Sequence, residues 1–291
     1  MEIRTLKYFL TVAQENSFSG AAQLLHVTQP TISRQIAQLE TELGVSLFHR
    51  TTRSLTLTTE GKLFYRRAGE IIALADKAGQ ELHFSDQELA GTITIAAGQF
   101  ENFRILAELM DTFSERHPKV RYNIHTFTGD VAKEYLEQGL ADIAMLMDLP
   151  ETSQYDYVRL PIAERFEVLM RSDDPMTQLN EIGPEELSGK ILILPLRRAE
   201  RTKEWLSSYC DPSSFRFAID FPRNSFALVE RGAGYLLALH GAIEGYDPAR
   251  FASRPIRQAK EWEIFLAWNS IQPASATVDA FIQHIHTALG F

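Results

Sequence analysis

The sequence has little cysteine and no long apolar run. Cys210 is the only cysteine among 291 residues, so the chain can form neither an internal disulfide nor a cluster of cysteine ligands around a metal. No apolar stretch reaches the roughly 18–20 residues that a membrane-spanning helix needs. The N-terminus is an amphipathic, charged segment without the apolar core of a signal peptide. We therefore expect a cytoplasmic protein that has no membrane partner.

Motifs of enzyme chemistry are also missing. The sequence contains no Gly-x-Ser-x-Gly, no Walker loop, no Gly-x-Gly-x-x-Gly and no His-Glu-x-x-His. Its eight histidines are scattered, and His284 and His286 would point to different faces of a helix. We expect no catalytic residue, no metal site and no cofactor.

Charge is distributed unevenly along the chain. The whole sequence has 29 basic and 38 acidic side chains, a net charge of −9. Residues 1–67 hold eight basic and five acidic side chains, a net +3, so the remainder carries −12. An N-terminal region can therefore approach phosphates although the protein is acidic overall.

Apolar spacing predicts three short helices before residue 45. Residues three, four and seven apart lie on one face of a helix. Ser17 or Ser19 can cap the second helix and Thr28 the third, which Gly44 ends. The apolar positions are Leu6, Phe9, Leu10 and Ala13, then Phe18, Ala21, Ala22 and Leu25, then Ile32, Ile36, Leu39 and Leu43.

The third helix has a polar face opposite its apolar one. Its side chains can bond to base edges and phosphates, so the segment reads as a helix-turn-helix. A small helical bundle with a solvated face is the alternative. The exposed positions are Pro30, Thr31, Ser33, Arg34 and Gln38.

A hairpin is predicted directly after these helices. The polar, basic segment 49–54 precedes Leu55 and Leu57, which alternate with threonines as in a strand. A basic tip containing Arg53 suits the minor groove or the phosphates beside it. The alternative for Arg53 is a solvated turn.

Residues 18–61, FSGAAQLLHVTQPTISRQIAQLETELGVSLFHRTTRSLTLTTEG, resemble the winged helix-turn-helix of LysR-type transcriptional regulators. The resemblance implies that residues 1–57 form a DNA-binding domain whose recognition helix contacts bases and whose wing contacts the backbone or minor groove. The implied base-contacting residues are Gln29, Pro30, Thr31, Ser33 and Arg34, and the implied wing residues are Arg50 and Arg53.

Residues 58–89 are predicted to form one long linker helix. A stripe with spacings of 4, 3, 4, 3 and 4 is a heptad seam, and we expect it to join two chains because residues 1–57 offer little spare core to cover it. The alternative is a helix packed on its own domain. The family implies paired linker helices, a pseudo-palindromic site on double-stranded DNA, and tetramers built as dimers of dimers. The stripe is Phe64, Ala68, Ile71, Ala75, Ala78 and Leu82.

Residues 90–291 show two rounds of alternating strands and helices. This pattern predicts mainly parallel sheets covered by helices, in two lobes joined by two crossings. We place lobe I at about 90–163 and 265–291, and lobe II at about 164–264. Ligands of such sheets bind outside the carboxyl ends of strands. The resemblance implies a two-lobed effector-binding domain similar to periplasmic binding proteins, so the expected fold is an α+β multidomain chain.

The small-molecule effector is expected at the strand ends between the lobes. Aromatic residues there would line the cleft, although each of them can instead belong to the core. Arg197 can bind an anionic group through two hydrogen bonds, or it can be a surface arginine. Where many relatives have Ser or Thr after the first strand, this chain has Gln99 and Phe100. The expected residues are Gly98, Gln99, Phe100, Phe127, Thr128, Met147, Leu196, Arg197, Asn224, Ser225 and Phe226.

Two other functional classes compete with an effector-controlled regulator. One is an enzyme fused to a DNA-binding head, which the missing motifs disfavour. The other is a DNA-binding protein whose α/β region only oligomerises. A thermal-shift screen with small metabolites would distinguish a sensor from that second class.

Overall fold

The computed structural model describes residues 1–50, 55–81, 89–147, 149, 154–196, 215–271 and 274–290. The chain divides into two compact units, residues 1–85 and 86–291. Arg53, Leu82 and Arg197 lie outside the described residues.

The first unit has three helices, a hairpin and a longer helix, as the sequence predicts. Ser17 caps the second helix by accepting a hydrogen bond from the Gly20 amide at 3.1 Å. Gly44 ends the third helix in the left-handed conformation, with φ of 69°. The elements are α1 Ile3–Glu15, α2 Phe18–Leu24, α3 Gln29–Leu43, β1 Phe48–Arg50, β2 Leu55–Leu57 and α4 Thr59–Glu81.

Phe9 is the centre of this unit's core. It is fully buried, and its ring centroid lies 5.4 Å from that of Phe48 and 5.1 Å from that of Phe64. Ile32, Ile36 and Leu39 are buried as expected. Leu43 is 37 % exposed, contrary to expectation, because it lies in the last turn of α3, where the chain reverses.

The expectation that the whole stripe of α4 faces a partner is wrong for Phe64 and Ala68. Ala68 is fully buried and Phe64 half-buried in the unit's own core, because α4 packs along α1 and Phe9 covers this part of the helix. Further along α4, Ile71 and Ala78 are exposed and Ala75 is half-buried. Leu63 and Leu74 are also exposed, at 60 % and 46 %. The outward-facing apolar stripe is therefore Leu63, Ile71, Leu74 and Ala78.

The second unit contains two five-stranded sheets, one for each lobe. The lobe I sheet has the order β4-β3-β5-β12-β6, and α5 and α10 cover one face while α6 covers the other. The lobe I elements are β3 Ala90–Ala97, α5 Phe103–Arg116, β4 Lys119–Thr126, α6 Gly129–Glu137, β5 Ile143–Leu146, β6 Tyr155–Arg159, β12 Phe265–Asn269 and α10 Ala276–Leu289.

The lobe II sheet has the order β11-β7-β10-β8-β9. Short helices and two 3₁₀ turns, Pro175–Gln178 and Pro222–Ser225, connect its strands. The lobe II elements are β7 Phe166–Arg171, α7 Pro184–Leu187, β8 Leu192–Pro195, β9 Phe215–Ile219, α8 Phe226–Glu230, β10 Tyr235–Leu239, α9 His240–Ile243 and β11 Phe251–Pro255.

Four strands of each sheet run in the same direction, as the expectation of mainly parallel sheets predicts, and the fifth is antiparallel to its neighbours. In lobe I, β12 runs antiparallel to β5 and β6, and in lobe II, β7 runs antiparallel to β10 and β11. These reversals follow from the two crossings, since each brings the chain into the next sheet from the opposite direction.

The two crossings, residues 160–165 and 256–264, pair with each other between the lobes. Glu164 and Trp262 exchange two backbone hydrogen bonds of 2.8 Å. The buried Asn102 amide donates to the Ile162 carbonyl at 2.6 Å and accepts from the Ile162 amide at 3.3 Å. Side-chain and backbone bonds thus hold the first crossing in one conformation.

Candidate functional site

The first two turns of α3 present a polar surface. Gln29, Pro30, Thr31 and Arg34 are exposed, and Ser33 is half-buried. The opposite side of the helix is held in the core, so these side chains face outward together. The Thr28 hydroxyl lies 2.8 Å from that of Thr31, which orders the start of the helix.

The predicted wing is confirmed as an antiparallel pair of strands. Phe48 lies opposite Leu57, and Arg50 lies opposite Leu55. Glu40 of α3 fixes the base of the wing, because Oε1 accepts hydrogen bonds from the Leu47 amide at 2.8 Å and the Phe48 amide at 3.2 Å. The sequence analysis missed Glu40, since a carboxylate within a helix has no local pattern that indicates bonds to a later strand.

The start of α4 packs tightly against the same wing. The Thr58 hydroxyl donates to the Ser46 carbonyl at 2.8 Å and accepts from the Gly61 amide at 2.8 Å. A Cβ at position 61 would collide with the Leu47 carbonyl group, so this close approach requires glycine. Direct contacts thus join α3, the wing and the start of α4.

The second unit has a cavity of about 130 Å³ between its two lobes. Apolar groups dominate the lining, and five of the side chains are aromatic: Phe100, Phe127, Phe166, Phe221 and Trp262. The other lining residues are Gly98, Gln99, Thr128, Gly129, Asp130, Met147, Pro195, Ile219, Asp220, Pro222, Ala238, Leu239 and Ala242.

Six of the expected effector residues lie around this cavity. They come from the ends of three lobe I strands, as the strand-end argument predicts: Gly98, Gln99, Phe100, Phe127, Thr128 and Met147. The rule did not find Phe166 or Trp262, because Phe166 begins its strand and Trp262 lies in the second crossing, so neither is at the carboxyl end of a strand.

Four of the expected effector residues do not line the cavity. Leu196 and Asn224 are exposed elsewhere. Ser225 is buried and donates to the Pro222 carbonyl at 2.6 Å, while Phe226 packs in the lobe II core 5.3 Å from Phe251. The 3₁₀ turn that starts at Pro222 directs Asn224, Ser225 and Phe226 away from the cavity, so residues 219–222 line it instead.

The Thr128 hydroxyl is a buried polar group of the cavity that has no hydrogen-bond partner among the described residues. Its Oγ1 is buried and neither donates nor accepts a hydrogen bond within the described residues. An unsatisfied buried polar group costs about 1–3 kcal/mol, so a ligand that bonds to this hydroxyl would recover that free energy. Thr128 immediately precedes α6, and Phe127 beside it contacts Tyr135 with ring centroids 4.4 Å apart.

The ring of Phe100 lies over Gly98. A Cβ on Gly98 would lie 2.4 Å from this ring, so a larger residue there would force the Phe100 side chain to move. An aromatic surface thus covers this strand end.

Within the described ranges, no three His, Cys, Asp or Glu side chains come close enough to hold a metal ion. Over the same ranges, every helix is too short or too polar to cross a membrane.

Two family models match the chain along most of its length. The bacterial regulatory helix-turn-helix protein, LysR family, covers residues 3–62, and the LysR substrate-binding domain covers residues 86–290. The chain belongs to the LysR family. The resemblance drawn from residues 18–61 is therefore confirmed, as is the winged-helix and two-lobed fold. The family is one of transcriptional regulators.

Individual relatives agree with this family. The HTH-type transcriptional regulator BsdA of Bacillus subtilis (strain 168) is 36 % identical over 161 residues, which is 55 % of each chain. The match thus spans about half the length of that relative. The uncharacterized HTH-type transcriptional regulator YvbU of the same organism is 26 % identical over 294 residues, or 97 % of each chain.

Solved structures of family members share the fold. CbnR in complex with its target DNA aligns with a TM-score of 0.74 at 22 % identity, over 99 % of this chain and 100 % of that one. Full-length BenM aligns with a TM-score of 0.55 at 23 % identity, over 100 % and 98 %.

Proposed function

We propose that this protein is a sequence-specific, DNA-binding transcriptional regulator whose activity at a promoter is modulated by a small molecule bound between the two lobes. The observation that carries the proposal is the outward polar face of α3, backed by the apolar core of the first unit and flanked by the wing strands. Family membership supports the same role. We further propose that it acts in the cytoplasm, where its DNA target would be found.

For DNA recognition, we propose that Gln29 and Arg34 contact bases while Arg50 and Arg53 contact phosphates or the minor groove. Amide and guanidinium groups can make paired hydrogen bonds to base edges, whereas a basic wing contributes affinity that depends little on sequence. Pro30, Thr31 and Ser33 complete the proposed surface.

The test is binding to the DNA upstream of the protein's own gene, measured by fluorescence anisotropy and footprinting. Gln29→Ala and Arg34→Ala should each reduce binding by about 1–3 kcal/mol and relax the sequence preference. Thr41→Ala is the matched control, because Thr41 lies on the same helix two turns away and bonds to the Ala37 carbonyl. If both variants fold and bind like the unmodified protein, the assignment of the recognition surface is wrong.

For the effector, the cavity supports a small molecule with a planar, apolar body. Aromatic walls would bury that body, while Gln99 and Thr128 would orient its polar groups. We propose Arg197 as the partner of an anionic group. Calorimetric titration of the full chain with metabolites suggested by neighbouring genes would identify the ligand. A ligand that binds equally well to the Gln99→Ala, Thr128→Val, Arg197→Ala triple variant would place the effector outside this cavity.

For assembly, we propose a symmetric dimer formed along the exposed stripe of α4. Leu63, Leu74 and Ala78 point outward on one side of the helix, next to the face that its own domain covers. Burying this stripe against a second copy would remove apolar surface from water. Two recognition helices related by a two-fold axis would match a pseudo-palindromic site.

A further inference from the structure

One buried carboxylate connects the two lobes directly. Glu164 lies on the first crossing and is only 1 % exposed. Its Oε1 accepts a hydrogen bond from the Glu101 amide, which follows the end of β3 in lobe I. Its Oε2 accepts from the Gly241 amide of α9 in lobe II at 3.1 Å. The side chain therefore binds the backbone of both lobes at once.

The backbones of the two lobes approach each other closely at the same place. A Cβ on Gly241 would overlap the backbone of Phe100 and Glu101 and would lie 2.7 Å from Oε1 of Glu164. Glycine is thus needed for the lobes to meet backbone to backbone. The contact adjoins the cavity, since Phe100 lines it from one lobe and Ala242 from the other.

Ionisable side chains from both lobes surround the contact between Glu164 and Gly241. His240 has Nδ1 3.1 Å from Oε1 of Glu167 and Nε2 3.8 Å from Oε2 of Glu101. Arg165 lies 3.4 Å from Glu167. Arg104 of lobe I pairs with Glu101 and reaches Glu244 of lobe II at 3.5 Å.

The burial of Glu164 has an energetic consequence. Burial raises the pKa of Glu164 above its ordinary value, and the two amides and the nearby His240 oppose that effect. A carboxylate kept in such a place needs both amides, because each one replaces part of the hydration it has lost.

We infer that Glu164 is a positioning residue that ties the two lobes together around the cavity, a role that rests on the proposed use of this cavity as the effector site. Separating the lobes breaks one or both of its amide bonds. A glutamine has the same shape but only one acceptor oxygen, so it can satisfy one amide and must present a donor to the other.

The test is hydrogen exchange of the full chain, without ligand or DNA, followed by mass spectrometry. In Glu164→Gln and in Gly241→Ala, protection should fall about tenfold or more in segments 98–102 and 239–243 together, because both changes weaken the same contact. The interiors of β3 and β10 should exchange as before. Glu261→Gln, an exposed carboxylate on the other crossing, and Gly69→Ala, where a Cβ meets open space, are the matched controls.

The double variant Glu164→Gln, Gly241→Ala distinguishes the loss of one shared contact from two independent destabilising effects. If Glu164 and Gly241 maintain one contact, the double variant should lose no more protection than the more affected single variant. If the two changes act independently, the loss of protection in the double variant should instead equal the sum of the two single losses in free energy. Additive losses, a change confined to one lobe, or unchanged exchange in Glu164→Gln would each overturn the inference. None of these results depends on an effector or on DNA, so a failure here leaves the promoter test of the proposed function independent.

Discussion

Replacing Glu40 with alanine tests whether the wing is held by the recognition helix. The change removes the carboxylate oxygen that accepts from the Leu47 and Phe48 amides, at 2.8 and 3.2 Å. A hydrogen bond to a charged group contributes about 1.5–3 kcal/mol. One oxygen serves both amides and Glu40 is half-buried, so we expect the two bonds together to contribute about that same amount.

Local exchange and DNA binding should both report the loss. The Leu47 and Phe48 amides should exchange about 10- to 100-fold faster in Glu40→Ala, which is the equivalent of that free energy at 1.4 kcal/mol per factor of ten. A loosened wing should also lose phosphate contacts. The logarithm of the DNA-binding constant falls linearly with the logarithm of the salt concentration, and each lost phosphate contact makes this slope less steep by about 0.9.

Glu42→Ala is the control for this experiment. Glu42 lies on the same helix, is exposed and pairs with the N-terminal amine at 2.7 Å. It should leave both the amide exchange at the wing and the salt slope unchanged. If the Leu47 and Phe48 amides remain protected in Glu40→Ala, or if the salt slope is unchanged, then Glu40 does not position the wing.

Three further changes address the wing, the linker helix and lobe II. Arg53→Ala should weaken binding to all DNA sequences similarly and lower the salt slope by about 1, measured by anisotropy from low to physiological salt. Leu74→Glu should dissociate the proposed dimer in light scattering, because it places like charges in the seam. Ala73→Glu, on another face of α4, should leave the dimer intact. An intact dimer in Leu74→Glu would show that the exposed stripe of α4 is not the dimer interface. The Tyr235 hydroxyl donates to Asp174 at 2.7 Å, and burial together with this bond raises the pKa of Tyr235 to about 12. Unfolded tyrosine ionises near pH 10, so stability should fall between about pH 10 and 12; a Tyr235→Phe variant with the same alkaline unfolding profile would contradict this.

Periodicity in the sequence predicted the first unit well because its helices are short, local and amphipathic. It also identified α4, but a stripe of apolar residues does not say what covers it. Phe64 and Ala68 fit a heptad as well as they fit the core beneath Phe9, and only the packing of α4 along α1 distinguishes the two.

Only those residues of the candidate cavity that lie at the ends of strands could be predicted from the sequence. Gly98, Phe127 and Met147 follow strands that the apolar pattern identifies. Glu164 and Trp262 lie in crossings without such a pattern, and their contacts join residues far apart in the chain. A single glutamate in a connecting segment has no local signature of a bond to two separate lobes, so the sequence could not have indicated its position.

The shared core of α1 and α4 has a consequence for the spacing of DNA half-sites. Because Phe64 and Ala68 anchor α4 in the core of the first unit, Leu74 and Ala78 are at a set distance and angle from Gln29 and Arg34, the residues proposed to contact bases. A second copy docked on that stripe would have its recognition helix placed by the same rigid connection. The separation of the two half-sites would then be a property of the protein, and inserting five base pairs between them, half a turn of the duplex, should abolish simultaneous binding.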